Sequence, residues 1–239
     1  MLRTLVDVFT GNSSLDFFSV IFMLLSYAVI LFVTLPVHEM AHAWTAYRLG
    51  DDTAKWYGRL SFNPLKHLDL VGTLMILLVG VGYAKPVPVN PMNFKNRKGG
   101  MALTALAGPA SNLVMAIAAV GLYRVLSLVL GEVTVENGTV WYYSEVSLYL
   151  YVFLVEVFAS INISLAVFNL LPVPPLDGSR IFGFVLPDRF NWWMERNSRI
   201  ILPIFYVVLL TGSLSGLLSS IQHGVGGLIC AIFGLPNLF

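Results

Sequence analysis

Charge is scarce in this sequence. Only 11% of its 239 residues are Asp, Glu, Lys or Arg, where an ordinary soluble domain carries about 25%. The formal net charge is +1, which points to no nucleic acid and to no strongly acidic partner. Cysteine is nearly absent. Cys230 stands alone, so an internal disulfide and a thiolate metal cluster are both excluded. Four histidines cannot fill the several histidine boxes of a membrane di-iron oxygenase. The opening MLRTLVDV lacks the basic, apolar and small-residue succession of a removable leader, and none is expected. Repeats and low-complexity tracts are missing, and no polar stretch is long enough to fold alone. The expectation is one integral-membrane domain over residues 1–239, with its core at about 17–180 and C-terminal helices at 190–239.

Hydrophobic residues, in contrast, make up 57% of the chain and fall in long runs. Such runs predict an all-α polytopic protein of the cell membrane, a bundle of about 4–6 transmembrane helices in the lipid bilayer. The first run starts near Asp16, and helix-compatible residues continue to Leu49, where Gly50 and Asp51-Asp52 stop it. About 33 residues at 1.5 Å each exceed the roughly 30 Å of the hydrocarbon core. Pro36 should loosen the hydrogen bond to Phe32 and kink this helix. Further spans are predicted at 100–130, 148–171 and 200–218. The stretch 224–239 is apolar but broken by glycines, and 131–147 reads as a soluble loop.

Lys and Arg mark the cytoplasmic side. Residues 48–69, 83–100 and 180–199 hold four each, whereas 131–147 hold none. If residues 70–82 crossed the membrane, two basic segments would face opposite sides. The conflict disappears if 70–94 dips in and returns. YAKPVPVNP, residues 83–91, cannot be helical, and the alternation of Val87 and Val89 suggests an extended strand. A re-entrant extended segment near 83–94 is therefore predicted. At membrane depth its backbone needs protein or water beside it, hence a polar cavity.

The chemistry-bearing motif is HEMAH, residues 38–42, a match to H-E-x-x-H. At i and i+4 on a helix, His38 and His42 share one face and can share a metal. Glu39 is displaced around the axis. It is poorly placed as a third ligand, but it can reach a water beside the metal. The competing reading is two helix histidines that merely bond across a bundle. It leaves unexplained why two histidines and a glutamate should be buried together near a membrane interior, where that is expensive. A catalytic zinc usually takes three protein ligands. The candidates for the third are His67, Asp69, Glu156, Asp177 and His223. Asp177 stands out, at the end of an apolar span in a turn rich in Pro and Gly, although an ordinary Asp-Gly turn would look the same. His67 and His223 read as surface or interfacial residues.

HEMAH in an apolar helix, GPASN at 108–112 and NLLPVPPLDG at 169–178 together resemble the site-2 protease family of intramembrane zinc metalloproteases, in its small prokaryotic form. The resemblance covers about residues 31–180. It implies that His38, His42 and Asp177 hold one zinc ion and that Glu39 is the acid/base. It also implies that Asn112 helps hold the scissile peptide or its oxyanion. The active site would lie nearer the cytoplasmic face, and the substrate would be a single-span or other membrane protein. The edge carrying Val87 and Val89 could receive an unwound substrate, although Pro86 and Pro88 remove two donors. A loop that only plugs the cavity is the other possibility. Asn169 could orient Asp177 from behind, or bond between helices as such residues usually do. The PDZ and cystathionine-synthase-type domains of many members do not fit in this sequence.

Two rivals remain at this level. A metal-binding transporter or channel would explain a re-entrant segment but not the glutamate beside the first ligand. An inactive homologue that only binds membrane proteins would not need intact ligands. Of the other polar residues, Arg124 is expected to snorkel and Glu156 to line the cavity or reach the outer face. The NGT triplet at 137–139 is expected to make a tight turn.

Overall fold

The computed structural model describes residues 17–79, 84–136 and 139–239. The chain divides into two compact units, residues 1–95 and 96–239.

The first unit begins with α1, Phe17–Val29, a π turn, Ile30–Thr34, and α2, Leu35–Arg48. The predicted disturbance by Pro36 takes the form of that π turn. A proline at 36 has no N–H to donate, and its ring crowds the carbonyl of Phe32. The helix widens over these residues, and the Leu35 N–H reaches back to the Ile30 carbonyl, as in a π bulge. After Leu49 the chain turns at Gly50, whose φ of +104° suits a residue without a Cβ. Then follow α3, Thr53–Trp56, a 3-10 turn, Pro64–Lys66, and α4, Leu70–Val79. A helix of ten residues rises about 15 Å, half of the hydrocarbon thickness.

From Lys85 to Asn90 the chain forms no helix; Asn90 is extended, and a 3-10 turn, Pro91–Asn93, follows. Ala84 pairs with Leu68 in one antiparallel bridge. The expected non-helical course is present from Ala84 to Asn90, residues 91–93 turn instead of extending, and Tyr83 lies outside the described residues.

The second unit is built on α5, Arg97–Leu130. A short antiparallel hairpin follows, β1 Thr134–Glu136 and β2 Thr139–Trp141, with Val135 opposite Val140. The soluble loop expected here contains this hairpin, and residues 137 and 138 of the NGT triplet lie outside the described residues. Next come α6, Glu145–Tyr151, a π turn, Val152–Ala159, and α7, Ser160–Asn169. The last three helices are α8, Asp177–Val185, α9, Asp188–Leu210, and α10, Ser215–Ile232. α5 packs along α7 and α8, and α10 packs on α7.

Ala116, Val120, Tyr123, Tyr151, Val155, Ile163 and Cys230 form the centre of this unit's core. Buried alanines such as Ala105, Ala116 and Ala119 let helices approach closely. Polar groups are paired across it: Gln222 Nε2 donates to Ser160 Oγ at 2.8 Å, and Tyr151 donates to the Leu238 carbonyl at 3.0 Å.

Among the described residues, four helical stretches are long and apolar enough to span a bilayer: Leu24–Arg48, Arg97–Leu130, Glu145–Asn169 and Ser215–Ile232. Val114, Val125 and Leu128 are exposed on α5, as suits a lipid-facing stripe. The protein is an all-α polytopic membrane protein.

The C-terminal boundaries differ from those expected. Instead of a span at 200–218, α9 ends at Leu210, and α10 runs straight through Gly224, Gly226 and Gly227. Glycines weaken an exposed helix by about 1 kcal/mol each relative to alanine. Here two of them clear a track for the chain end. A Cβ on Gly226 would lie 2.4 Å from the Phe239 ring, and one on Gly227 would lie 3.1 Å from Asn237.

Candidate metal centre

α2 performs what its spacing promises. The Nε2 atoms of His38 and His42 are 3.0 Å apart. The rings stand edge to face, with centroids 4.6 Å apart and planes at 87°. The residues are only 6% and 8% exposed. Two nitrogens bound tetrahedrally to zinc at about 2.0–2.1 Å would be about 3.3 Å apart. The two nitrogens therefore lie within hydrogen-bond distance of each other, at nearly the spacing that a shared ion requires. The donor type, neutral imidazole, also suits zinc.

Glu39 is half-buried on the same helix. Its Oε2 accepts the Val87 N–H at 3.3 Å, across 48 positions of sequence. The acid/base candidate and the extended segment thus meet in one unit. Val87 and Val89 are both half-buried.

In the second unit, Asp177 is the first residue of α8, after the cap residue Leu176, and is half-buried. The approach to it is tightly wound. Val173 N–H donates to the Leu171 carbonyl at 2.8 Å, and Leu176 N–H to that of Val173 at 2.9 Å. Gly178 then passes over the end of α7 so closely that a Cβ would lie 2.3 Å from the carbonyl oxygens of both Leu170 and Leu171. Backbone cannot yield as a flexible side chain can. Gly178→Ala is therefore expected to destabilise the protein by about 1–3 kcal/mol and to push Asp177 aside. A lowered thermal midpoint is the measurable outcome.

Asn112 lies on α5, which packs along the helix headed by Asp177. It is 1% exposed. Neither its Oδ1 nor its Nδ2 has a hydrogen-bond partner among the described residues. A buried amide left unsatisfied costs about 1–3 kcal/mol, which a ligand would recover. Asn169 donates its Nδ2 to the Leu165 carbonyl of its own helix at 2.9 Å, and Asn162 does the same to Phe158 at 2.8 Å.

The remaining ligand candidates go elsewhere. His67 is fully buried, not a surface or interfacial residue. Its Nε2 meets the Ser61 carbonyl at 2.6 Å, and its own carbonyl accepts the Lys85 N–H at 2.7 Å. Its place in a polar loop concealed this, because the loop folds around it. Asp69 caps α4 by accepting the Gly72 N–H at 2.9 Å. Glu156 and His223 are exposed, and Arg124 pairs with Glu132.

Two residues escaped sequence reasoning. Arg59, 7% exposed, donates to the Lys66 carbonyl. Asp51, fully buried, accepts the side-chain O–H and backbone N–H of Thr53, the Asn90 N–H and the Asn93 amide. Burial works against the charge on Asp51. The bonds from Thr53, Asn90 and Asn93 outweigh it and hold the carboxyl below the usual aspartate range. The acidic pair after the helix stop was the visible signal, but its partners lie 39 and 42 positions onward.

The sequence model of peptidase family M50 matches residues 26–212. A Bacillus subtilis protein named "Putative zinc metalloprotease YwhC" is 38% identical over 191 residues, 79% of this chain and 82% of that one. "Putative zinc metalloprotease Rip2" of Mycolicibacterium smegmatis is 30% identical over 154 residues, and that of Mycobacterium tuberculosis is 30% identical over 152. Each alignment covers 61% of this chain and 51% of the Rip2 protein, so the chain spans about half the length of those relatives. No solved structure matches.

Proposed function

We propose that the chain, which belongs to peptidase family M50 and is a zinc metallopeptidase, cuts a peptide bond within or near a transmembrane segment of another membrane protein. One observation carries the reading. A pair of buried imidazoles converges, Nε2 to Nε2 at 3.0 Å, inside a helix apolar and long enough to cross a bilayer. Their neighbour on that helix, Glu39, is one a peptidase needs and a transport site does not.

His38, His42 and Asp177 would hold the ion. They offer two imidazoles and one carboxylate, a donor set that suits zinc. When bound, zinc acidifies a water and polarises a carbonyl. Glu39 takes the proton from the attacking water and passes it to the leaving amine. The unsatisfied amide of Asn112 donates to the oxyanion that forms on the scissile carbonyl. Asn169 would steady Asp177.

Hydrolysis also needs an accessible bond. The peptide groups of an intact helix are occupied by their own hydrogen bonds, so the substrate must unwind and lie extended. The strand-like segment with Val87 and Val89 is the edge offered to it. The basic residues on both sides of 70–82 support a segment that dips in and returns. The basic segments flanking it support an active site near the cytoplasmic face.

The test uses purified full-length protein in detergent or liposomes with a tagged single-span substrate. Cleavage is expected to stop on addition of a zinc chelator and to return with added zinc. Cleavage that is indifferent to the chelator would end this reading.

A further inference from the structure

The extended segment is fastened both to the HEMAH helix and to the turn after it, and the second fastening has no role in the chemistry above. Val87 gives its N–H to Glu39 at 3.3 Å, a long and weak bond by itself. Three residues later, Asn90 gives its N–H to Asp51 Oδ2 at 2.7 Å, and Asn93 Nδ2 donates to Asp51 Oδ1, also at 2.7 Å. Asp51 stands two residues past the cap of α2. It is itself pinned by the Thr53 N–H at 3.1 Å and the Thr53 hydroxyl at 2.5 Å. The opposite end is tied by Lys85 N–H to the His67 carbonyl at 2.7 Å.

We propose that Asp51 is a positioning residue of the protease: its buried carboxylate fixes Asn90 and Asn93 so that the segment of residues 85–89 keeps one register on Glu39. Four donors converge on two oxygens that are shielded from water, and bonds to a charged acceptor are the strong kind. Pro86 and Pro88 supply no N–H, and the donors of Lys85, Val87 and Asn90 are committed to His67, Glu39 and Asp51. What the segment then offers an incoming chain is the Val89 N–H and the carbonyls between Pro86 and Val89. A slip by one residue would exchange these for proline nitrogens and turn Val87 and Val89 to the other side. Register is thus a specificity element, and Asp51 sets it at a distance from the reacting atoms.

The proposal rests on the protease reading, and its test separates the two. Asp51→Asn keeps the volume but puts an amide N–H where Asn90 or the Asn93–Thr53 pair needs an acceptor. Asn93 is exposed, so Asn93→Ala removes one bond with little risk to folding. Amide exchange at Val87 and Asn90 is followed in the full-length protein, together with zinc content and the kinetics of single-span substrate cleavage. For Asp51→Asn, exchange at both amides should quicken about tenfold or more while exchange in α2 and zinc content stay unchanged. KM for the substrate should rise about tenfold, with kcat altered far less. Asn93→Ala should shift the same quantities in the same direction by a smaller factor. An unchanged Val87 amide with unchanged KM would overturn the assignment. So would a general loss of protection and zinc in Asp51→Asn with no effect of Asn93→Ala. Absence of chelator-sensitive cleavage by the unaltered protein would instead remove the protease reading, and the exchange data would still decide whether Asp51 holds the segment.

Discussion

Glu39→Gln is expected to abolish cleavage while leaving bound zinc at the level of the unaltered protein. Glutamine has almost the same shape as glutamate, and its remaining oxygen can still accept the Val87 N–H. The extended segment therefore keeps its contact with α2. The two imidazoles, 3.0 Å apart on the same helix, are untouched. What disappears is the ability to accept a proton from water and to hand it to the leaving amine. A positioned acid/base contributes about 10²–10⁴-fold in rate, and in the proposed reaction one carboxylate serves both transfers, so a fall of at least about 10³-fold is expected. The measurement is zinc per mole of protein beside the cleavage rate on a tagged single-span substrate. Native-rate cleavage would take Glu39 out of the reaction. A parallel loss of zinc would make it a ligand instead. The outcome also separates a peptidase from a metal-carrying transporter, which has no use for that carboxylate.

Much of this site could be read from the sequence because its parts obey local rules. His38 and His42 meet since four residues make about one helical turn, and α2 is uninterrupted through both. The non-helical course of residues 85–90 follows from Pro86 and Pro88, whose fixed φ and missing N–H exclude helix. The helix disturbance before HEMAH follows from Pro36. What could not be read depends on distant partners. Nothing near His67 in sequence reveals that it is enclosed by residues 61 and 85, and Asp51 resembles an exposed helix-stop residue until Asn90 and Asn93 arrive. Glycines misled for a similar reason. In α10 they seemed to break the helix, but their missing side chains are the space occupied by Asn237 and Phe239. At Gly178 the same lack lets the chain cross the carbonyls of Leu170 and Leu171. A glycine's meaning lies in what approaches it, and the linear pattern does not record that.

Asp177→Ala is expected to strip the protein of zinc and, with it, of activity. The two imidazoles would remain together, but two neutral nitrogens hold a dication far less well than two nitrogens and a carboxylate. Disturbing only the groups behind a ligand lowers metal affinity about 10–100-fold, so removal of a ligand itself should exceed about 100-fold. Asp177 heads α8 and is half-buried, and alanine is well tolerated at a first helical position. The zinc-free forms of the variant and the unaltered protein should therefore melt within a few degrees of each other. That comparison distinguishes a lost ligand from a lost fold, which Gly178→Ala by contrast should impair even without metal. Asp177→Glu is the finer probe. It retains the charge but lengthens the arm by one methylene, and it should recover part of the zinc and little of the rate. Zinc undiminished in Asp177→Ala would require another third ligand. With His67 buried against Ser61 and Asp69 capping α4, the next candidate would be Glu39, on the same helix as the two imidazoles.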